Sequence, residues 1–546
     1  MQFTVPAVAD AIAAAIPDRP LIIQGDRSYT HAEVAERSNR LAAFLHGQGL
    51  GCHTPRAQLA GHQSGQDLLG IYAHNGPEYV EGLLGAFRAR VAPFNVNYRY
   101  VKNELQYLLA DAGATALLYH AEFAPRVAEI LGDLPQLRVL IQIADDSGHE
   151  LLPGAIDYDD ALASASAAPP PVQADPDDLY VLYTGGTTGM PKGVLWRQHD
   201  IFVASFGGRD LYSGHTAASV EELVEKARAN PGMTLMILPP LMHGAAQWGV
   251  MTALTTGQTV LFSEVAGRLD ADVVLAEIAR HRAGVVTVVG DAVARPLADA
   301  IERGTVDVSS LNVVANGGAL LTPTTKQRLI DLKPGLIVVD GVGSSETGAQ
   351  MTHMSAPGAV STGIFKPGPD TFVVAEGLDR VLEPGHDGDG WLAQRAPVPL
   401  GYKGDPDKTA RTFPVVDGTR YAIPGDRARH LADGTIQLLG RDSVTINSGG
   451  EKIFAEEVET ALAAHPAVAD VVVASRPSDR WGQEVVAVVA LTAGATVDAE
   501  ELIAHAGTTL ARYKLPKAVV FRPVIERSPA GKADYRWARE QAEQAQ

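Results

Sequence analysis

Positive charge is scarce in this chain. Its 546 residues hold 45 lysines and arginines against 64 aspartates and glutamates, a formal net charge of −19. That argues against a nucleic-acid or anionic-membrane surface as the main partner, since both need a basic footprint. Cysteine is scarcer still. Cys52 stands alone, so no internal disulfide can form, and a reducing, cytoplasmic setting is expected. It lies in a loop-like stretch, GLGCHTP, and is read as incidental rather than nucleophilic. No stretch approaches the roughly eighteen uninterrupted apolar residues of a membrane-spanning helix. The N-terminal MQFTVPAVADAIAAAIPDRP has no basic leader and carries Asp10 within its apolar run, so no signal peptide is expected.

The balance of 46% hydrophobic and 20% charged residues is that of a globular protein, and the length exceeds what one core can hold, so two or more domains are expected. The first part of the chain alternates helical and strand patterns. Thr30-His31-Ala32-Glu33 reads as a capping box opening a helix through Leu45. DLLGIYAHN (67–75) and ATALLYH (114–120) read as strands, and GPEYVEGLLGAFRARVAPFNVN as a helix ending near Val91-Ala92-Pro93, followed by a short strand. This predicts layered α/β packing with partly parallel sheets. Residues 163–178, ASASAAPPPVQADPDD, read as a linker or surface loop, and residues 213–232 as a polar helical surface insertion. Beyond Gly440 the pattern changes to a compact α+β unit. IFAEEVETALAAHP reads as a helix stopped at Pro466, VADVVVAS, EVVAVVALT and KAVVFRPVI as strands, and DAEELIAHAGTTLARYKLP as a helix with Leu502, Ala506 and Leu510 on one face.

The stretch Tyr183–Gly193, YTGGTTGMPKG, follows directly on a strand pattern, LYVLYTGG. Its small residues let backbone N–H groups approach a ligand closely. Thr184, Thr187 and Thr188 add hydroxyls and Lys192 a positive charge, a set suited to an oligophosphate. It is not the Walker A loop, because Gly193 rather than Ser or Thr follows Lys192 and the chain runs on into a strand-like GVLW instead of a helix.

YTGGTTGMPKG resembles the phosphate loop of the adenylate-forming superfamily, which includes acyl-CoA synthetases, carrier-protein adenylation domains and luciferases. Further segments resemble that family's motifs in the same order: NGGAL (316–320), DGVGSSETG (340–348), YAIPGD (421–426), GRDSVTINSGGEKIFAEEVE (440–459) and RSPAGKADYRW (527–537). The likeness is closest to bacterial fatty-acyl and steroid-side-chain CoA synthetases. It implies an α/β fold: a large N-terminal domain (1–440) of layered α/β subdomains with a β-barrel-like part, and a small mobile C-terminal α+β domain (441–546).

The resemblance implies ATP, Mg²⁺ and coenzyme A as cofactors and co-substrates, and a two-step ligation. A carboxylate attacks the α-phosphate to give acyl-AMP and pyrophosphate; the thiol of coenzyme A then displaces AMP. Two anions meet in the first step, so positive charge near the transition state matters most. By resemblance Lys532 bridges carboxylate and α-phosphate, Lys192 neutralises the outer phosphates, and Ser345 keeps a hydroxyl where the family has Thr. ATP and AMP are then held by Thr184, Gly185, Gly186, Thr187, Thr188, Lys192, Gly317, Gly318, Ala319, Asp340, Gly341, Val342, Gly343, Ser344, Ser345, Asp426, Arg441 and Lys532. Glu346 is the implied Mg²⁺ ligand, a hard oxygen donor, and Asp426 the acceptor for two ribose hydroxyls. Val342 stands where the family has a Tyr that stacks on adenine. Ser443 stands at the hinge, where Asp or Lys is usual, so the pivot is a backbone property. Ser448, Gly449 and Gly450 line the implied path of the pantetheine arm.

PPLMHGAAQWG (239–249) resembles an acyl-pocket wall, with His243, Gly244, Ala245 and Gly318 lining it and GDAVARP (290–296) opposite. Gly244, Ala245 and Ala246 leave room for a wide acyl group. PPLMHGAAQWG carries no Lys or Arg for a second carboxylate and no acid for an amino group, so an apolar monocarboxylate is expected, either a long-chain fatty acid or a bulky polycyclic acid of steroid or terpenoid type, with the ring system slightly favoured. The alternative is a stand-alone adenylation enzyme that passes the acyl group to a carrier protein; no carrier domain or attachment motif is evident. A homodimer is compatible with this reading.

Overall fold

The computed structural model describes residues 2–186, 189–210, 213–360, 363–448, 451–478, 481–527 and 533–544. Two sheets lie within a five-layer stack of helices and strands. In the first, the strands Thr259–Phe262, Thr234–Ile237, Val285–Val288, Val313–Gly317 and Ile337–Ser344 run parallel in that order. Their runs of Val, Ile and Leu suit strands covered on both faces. In the second, the strands Leu179–Gly186, Ala92–Asn95, Leu68–Tyr72, Ala116–His120 and Val139–Ile143 are likewise parallel neighbours.

Alternation sorts the side chains into three cores. Leu69 and Ile71 of the second sheet and Ile237, Val260 and Phe262 of the first share one core with helices Val5–Ala15, His31–Gly47, Pro77–Arg88 and Gly244–Thr256. The opposite-facing Leu68 and Tyr72 pack with helix Lys102–Ala112, and Met236, Leu261 and Val286 with helices Ala271–Arg280, Gly290–Glu302 and Pro323–Leu332. The expected capping box at Thr30 and Glu33 is present, and its helix runs two residues further than read, to Gly47. The helix Val220–Ala229 is less superficial than expected: Leu223 and Ala227 enter the central core.

From Gly348 onward the first sheet continues with antiparallel strands, Gly348–Ser355, Ile364–Pro367, Ile436–Arg441, Asp426–His430 and Gly390–Arg395, around a small core of Met351, Phe365, Val373 and Leu392. This is the barrel-like part. Sheet membership changes at the 3-10 turn Asp442–Val444, which contains Ser443. Thr445–Ser448 belongs to a separate five-stranded sheet with Glu451–Phe454, Val468–Ser478, Gly482–Leu491 and Ala518–Phe521. The helix expected to run through Leu510 stops at Ala506. Gly507, Thr508 and Thr509 end it, the two hydroxyls turning back onto the carbonyls of His505 and Ala506, while Leu510 still packs on the same core. A C-terminal helix, Tyr535–Glu543, adds Ala538 and Ala542 to the far side of that sheet.

The contact between helices His31–Gly47 and Pro77–Arg88 rests on a missing side chain. A Cβ on Gly85 would lie 2.9 Å from Cγ and Cδ2 of Leu41, which is fully buried. Replacing a helical glycine by alanine ordinarily gains about 0.5–1 kcal/mol, but overpacking a filled core costs about 1–3 kcal/mol, so overpacking decides. Gly85→Ala is expected to lower the urea unfolding midpoint and Gly85→Val to lower it further, whereas Gly47→Ala, with nothing within 4 Å of the new atom, leaves it unchanged or raises it. A more stable Gly85→Ala variant would show that Leu41 yields.

Candidate active site

Parallel strands present their carboxyl ends on one side, and open α/β sheets place ligands there. Thr184, Gly185, Gly186, Gly317 and the residues Asp340–Ser344 lie at such ends, whereas Asp426 and Arg441 lie on antiparallel strands. Strand Leu179–Gly186 turns back antiparallel into Gly189–Arg197, pairing Thr184 with Lys192 and Gly186 with Gly189. The glycine–threonine loop therefore closes a hairpin and does not open a helix. Thr187 and Thr188 lie outside the described residues. Asn95, itself buried, ties the hairpin down: its side-chain amide donates to the carbonyls of Tyr183 and Met242 and accepts from Tyr183 N. This joins the phosphate strand to the segment that carries His243.

Lys192 is partnered. Its Nζ lies 3.6 Å from Asp405 Oδ2. Asp405 caps the helix Pro406–Thr412 by accepting from Lys408 N, and that amide, followed by the Lys192 charge, holds its carboxyl below the ordinary range. Glu346 is partnered too, since the Tyr402 phenol donates to its Oε1 at 2.7 Å. Burial first, then the Glu346 charge, push the Tyr402 hydroxyl up, so it remains a donor. Ser345 is fixed through its carbonyl, which accepts from the Trp196 indole at 2.8 Å. Ser344 and Thr347 close the intervening turn through their hydroxyls. Lys192 and Glu346 are thus each held by one segment, Tyr402–Asp405.

Two neighbouring strand ends form a bare floor. Gly317 pairs with Gly341 and Asn316 with Asp340. Gly318 has φ +82°, and Asn316 binds the Ala319 carbonyl. The Asp340 carboxylate is buried against Lys326 Nζ at 2.6 Å, with Asn316 Nδ2 donating to its other oxygen at 3.0 Å. Val342 is half-buried against the barrel-like core, and Gly343 pairs with Ala349 across the turn.

Asp426 and Arg441 face each other across a strand pair, with Asp426 Oδ1 to Arg441 Nε at 3.1 Å. The Asp426 charge raises the Arg441 guanidinium, with a smaller contribution from Glu346, so one electrostatic cluster links both sites. Glu456, from the first turn of helix Ala455–Ala463, joins it. Burial and then Asp426 push its carboxyl up to about 7, against the pull of Arg441. Lys532, Gly449 and Gly450 lie outside the described residues; Ser448 ends the strand Thr445–Ser448 and bridges to Gly482.

The acyl segment corrects one expectation. His243 precedes helix Gly244–Thr256, but Gly244 leaves no empty space: a Cβ there would lie 2.6 Å from Leu182 Cδ2 and 3.1 Å from the Trp248 ring. Ala246 belongs to the core, and only Ala245 is exposed. The missing side chain at Gly244 lets the helix begin close against the strand Leu179–Gly186. At the opposite wall, Gly290 donates to Asn316 Oδ1, and Asp291 accepts from Thr322 and Arg295.

A metal fits the donor set at one point. Among the described residues no group of three or more His, Cys, Asp or Glu could enclose an ion. Mg²⁺ is usually held by one or two carboxylates together with substrate phosphates, and Glu346 is a carboxylate next to Ser345, whose carbonyl is bound by Trp196 of the hairpin. Asn95, Trp196, Tyr402 and Asp405 were not found by sequence reasoning. An Asp-Pro pair before a helix was a visible capping signal for Asp405, but nothing local announces its pairing with Lys192.

The AMP-binding enzyme family model matches residues 9–402, and the AMP-binding enzyme C-terminal domain model residues 457–532. The chain is 75% identical to a medium-chain acyl-CoA ligase, Mig, of Mycobacterium avium, over 99% of this chain and 98% of that protein. It is 40% identical to a Mycobacterium marinum protein named as a medium/long-chain-fatty-acid–CoA and 3-oxocholest-4-en-26-oate–CoA ligase, over 98% of this chain and 96% of that one. Among solved structures it matches an anthranilate CoA ligase in complex with anthranoyl-AMP with a TM-score of 0.83 at 20% identity, covering 100% of this chain and 98% of that chain; that likeness is one of fold.

If Asp405 competes with phosphate for Lys192, removing its charge should help the nucleotide. Asn caps a helix as well as Asp does, so Asp405→Asn is expected to fold normally and to tighten ATP binding by about two- to fivefold in calorimetry, as a part-exposed pair worth up to about 1 kcal/mol allows. Weaker binding would show that Asp405 supports Lys192 instead.

Proposed function

The chain belongs to the AMP-binding enzyme family and is an AMP-forming acid–CoA ligase that uses ATP and coenzyme A, and we propose that the acid it prefers is a medium-chain fatty acid. The observation that supports this choice is the filled space at Gly244, where an added Cβ would meet Leu182 and Trp248. The name of the 75%-identical relative points the same way. Long-chain and steroid side-chain acids, named for the 40%-identical relative, make up the wider class of apolar monocarboxylates. The reading sets the reaction in the cytoplasm; among the described residues no helix is long and apolar enough to cross a membrane.

In this reading the nucleotide lies across the bare floor of Gly317, Gly318 and Gly341, with Ala319, Val342 and Gly343 at its margins. Its ribose hydroxyls take up Asp426, and its phosphates lie along Thr184, Gly185, Gly186 and Lys192, with Thr187 and Thr188 in the intervening loop. Lys192 must then leave Asp405, exchanging a carboxylate for phosphate oxygens. Mg²⁺, when bound, would be held by Glu346, whose Oε1 accepts from Tyr402, and would neutralise phosphate charge. Arg441 adds positive charge from the domain boundary.

The acid's carboxylate oxygen attacks the α-phosphorus, and the bond to pyrophosphate breaks. We assign the bridging of the two anions to Lys532. In the second step the thiol attacks the acyl carbon and AMP leaves. Rotation at the Asp442–Val444 turn, about Ser443, would withdraw the segment of Lys532 and present Ser448, Gly449 and Gly450 to the pantetheine arm.

Two measurements test this. A thioester-formation series running from short to long straight-chain acids, with a steroid side-chain acid alongside, is expected to give the highest kcat/KM at medium chain length; a maximum at the steroid acid would overturn the substrate assignment. Lys532→Ala is expected to slow acyl-AMP formation by about a hundredfold or more, as loss of one preorganised charge does, and to leave thioester formation from preformed acyl-AMP much less affected. Equal losses in both steps would remove Lys532 from its role.

A further inference from the structure

The strand Gly401–Tyr402 lies alongside the outer strand of the phosphate hairpin, pairing Tyr402 with Val194 and Gly401 with Leu195. Cross-strand partners share a face of a sheet, and so do residues two apart on one strand. Tyr402, Val194 and Trp196 therefore project from one face, and all three enter the central core. The two polar tips in that row end on a single turn. The Trp196 indole donates to the Ser345 carbonyl at 2.8 Å, and the Tyr402 phenol donates to Glu346 Oε1 at 2.7 Å. Trp196 fixes the main chain of the turn, and Tyr402 fixes the carboxylate that leaves it.

The phenol has little freedom of its own. Tyr402 is 2% exposed. Its N–H donates to Thr409 Oγ1 at 2.9 Å. Its ring packs against Phe413 with centroids 5.9 Å apart, and Lys408 Nζ lies 4.2 Å from the ring centroid. On the other side of the contact, Glu346 N donates to Ser344 Oγ at 3.2 Å. Among the described residues the Glu346 carboxylate accepts no hydrogen bond besides that of Tyr402. A buried tyrosine hydroxyl needs a partner for its own sake, and a backbone carbonyl would serve as well. Here the partner is the one carboxylate assigned to a metal.

We propose that Tyr402 is a positioning residue for the metal site: by holding Glu346 at one oxygen, it sets the affinity for the divalent cation that accompanies the triphosphate. The inference rests on the reading of Glu346 as the carboxylate for that cation. A free glutamate side chain loses rotamer freedom when it binds an ion, whereas Glu346 has given up that freedom on folding. Carboxylates that bind metals are commonly hydrogen-bonded in turn, and loss of such an outer partner costs about 10- to 100-fold in metal affinity or activity.

Tyr402→Phe removes one hydroxyl and keeps the ring. ATP binding is measured by calorimetry with no acid present, once with Mg²⁺ and once with EDTA, and the ratio of the two Kd values is the gain due to the metal. In Tyr402→Phe that gain is expected to fall about tenfold, while the Kd in EDTA stays within about twofold of wild type. Equal weakening in both conditions would make Tyr402 a structural residue and overturn the proposal, as would an unchanged gain. Should Tyr402→Phe fail to fold, Glu346→Asp carries the test: it keeps the charge but draws the oxygen away from the phenol, so the gain should fall as far, and an unchanged gain overturns the proposal. Glu346→Gln separates the two readings. If it keeps the full gain, the assignment of Glu346 to the metal fails, and the proposal with it; if it loses the gain while Tyr402→Phe keeps it, this inference alone fails.

Discussion

Two anions must be brought together inside a protein that is itself an anion, and much of the site follows from that constraint. The chain carries nineteen more negative than positive charges, so the few cations near the nucleotide cannot be left to its average field. Among the described residues three are held by a specific acceptor: Lys192 by Asp405, Arg441 by Asp426, Lys326 by Asp340. These pairings keep the cations fixed in direction and partly neutralised until a more strongly charged guest arrives. Positive charge placed where negative charge gathers is the largest lever on such a transition state, and in the proposed reading Lys192 supplies it by exchanging Asp405 for phosphate oxygens. The Tyr402 phenol does the complementary service for Glu346, anchoring one carboxylate oxygen.

The architecture makes this economical. Both sheets end at the same side, so the phosphate hairpin, the glycine floor and the segment of His243 meet without long loops, and Asn95 joins two of them through three hydrogen bonds. One short segment, Tyr402–Asp405, reaches both the phosphate lysine and the candidate metal ligand. The barrel-like part, with Asp426 and Arg441, is hydrogen-bonded to the parallel sheet through Gly348–Ser355 and Ile364–Pro367. The glycine floor and the Asp426–Arg441 pair therefore stand on one continuous sheet, and the hairpin Leu179–Arg197 on the other.

Much of this was legible in the sequence, for a stated reason. The strand that runs into YTGGTTGMPKG, the capping box at Thr30 and the strand pairs of the last hundred residues are short-range patterns, and spacing reports them well. Motif order carried the family. What spacing could not report was partnership across distance. Lys192 and Asp405 are far apart in sequence, as are Trp196 and Ser345, and no local periodicity links them. Gly244 shows the opposite failure: a missing side chain reads as space in a sequence, but whether the space is empty depends on neighbours, here Leu182 and Trp248, that only the fold reveals. The helix that ends at Ala506 instead of running past Leu510 is a third case, since Leu510 kept its place on the core after the helical hydrogen bonds had ceased.

The hairpin form of the phosphate loop has an implication for how the grip ends. A loop that opens a helix holds an anion by a dipole that stays in place for as long as the helix does. Leu179–Gly186 and Gly189–Arg197 offer no such dipole, so the hold is a sum of separate contacts, each with its own lifetime. With the phosphates along this hairpin, as proposed, single contacts can be lost while the paired strands Leu179–Gly186 and Gly189–Arg197 that carry them stay in register.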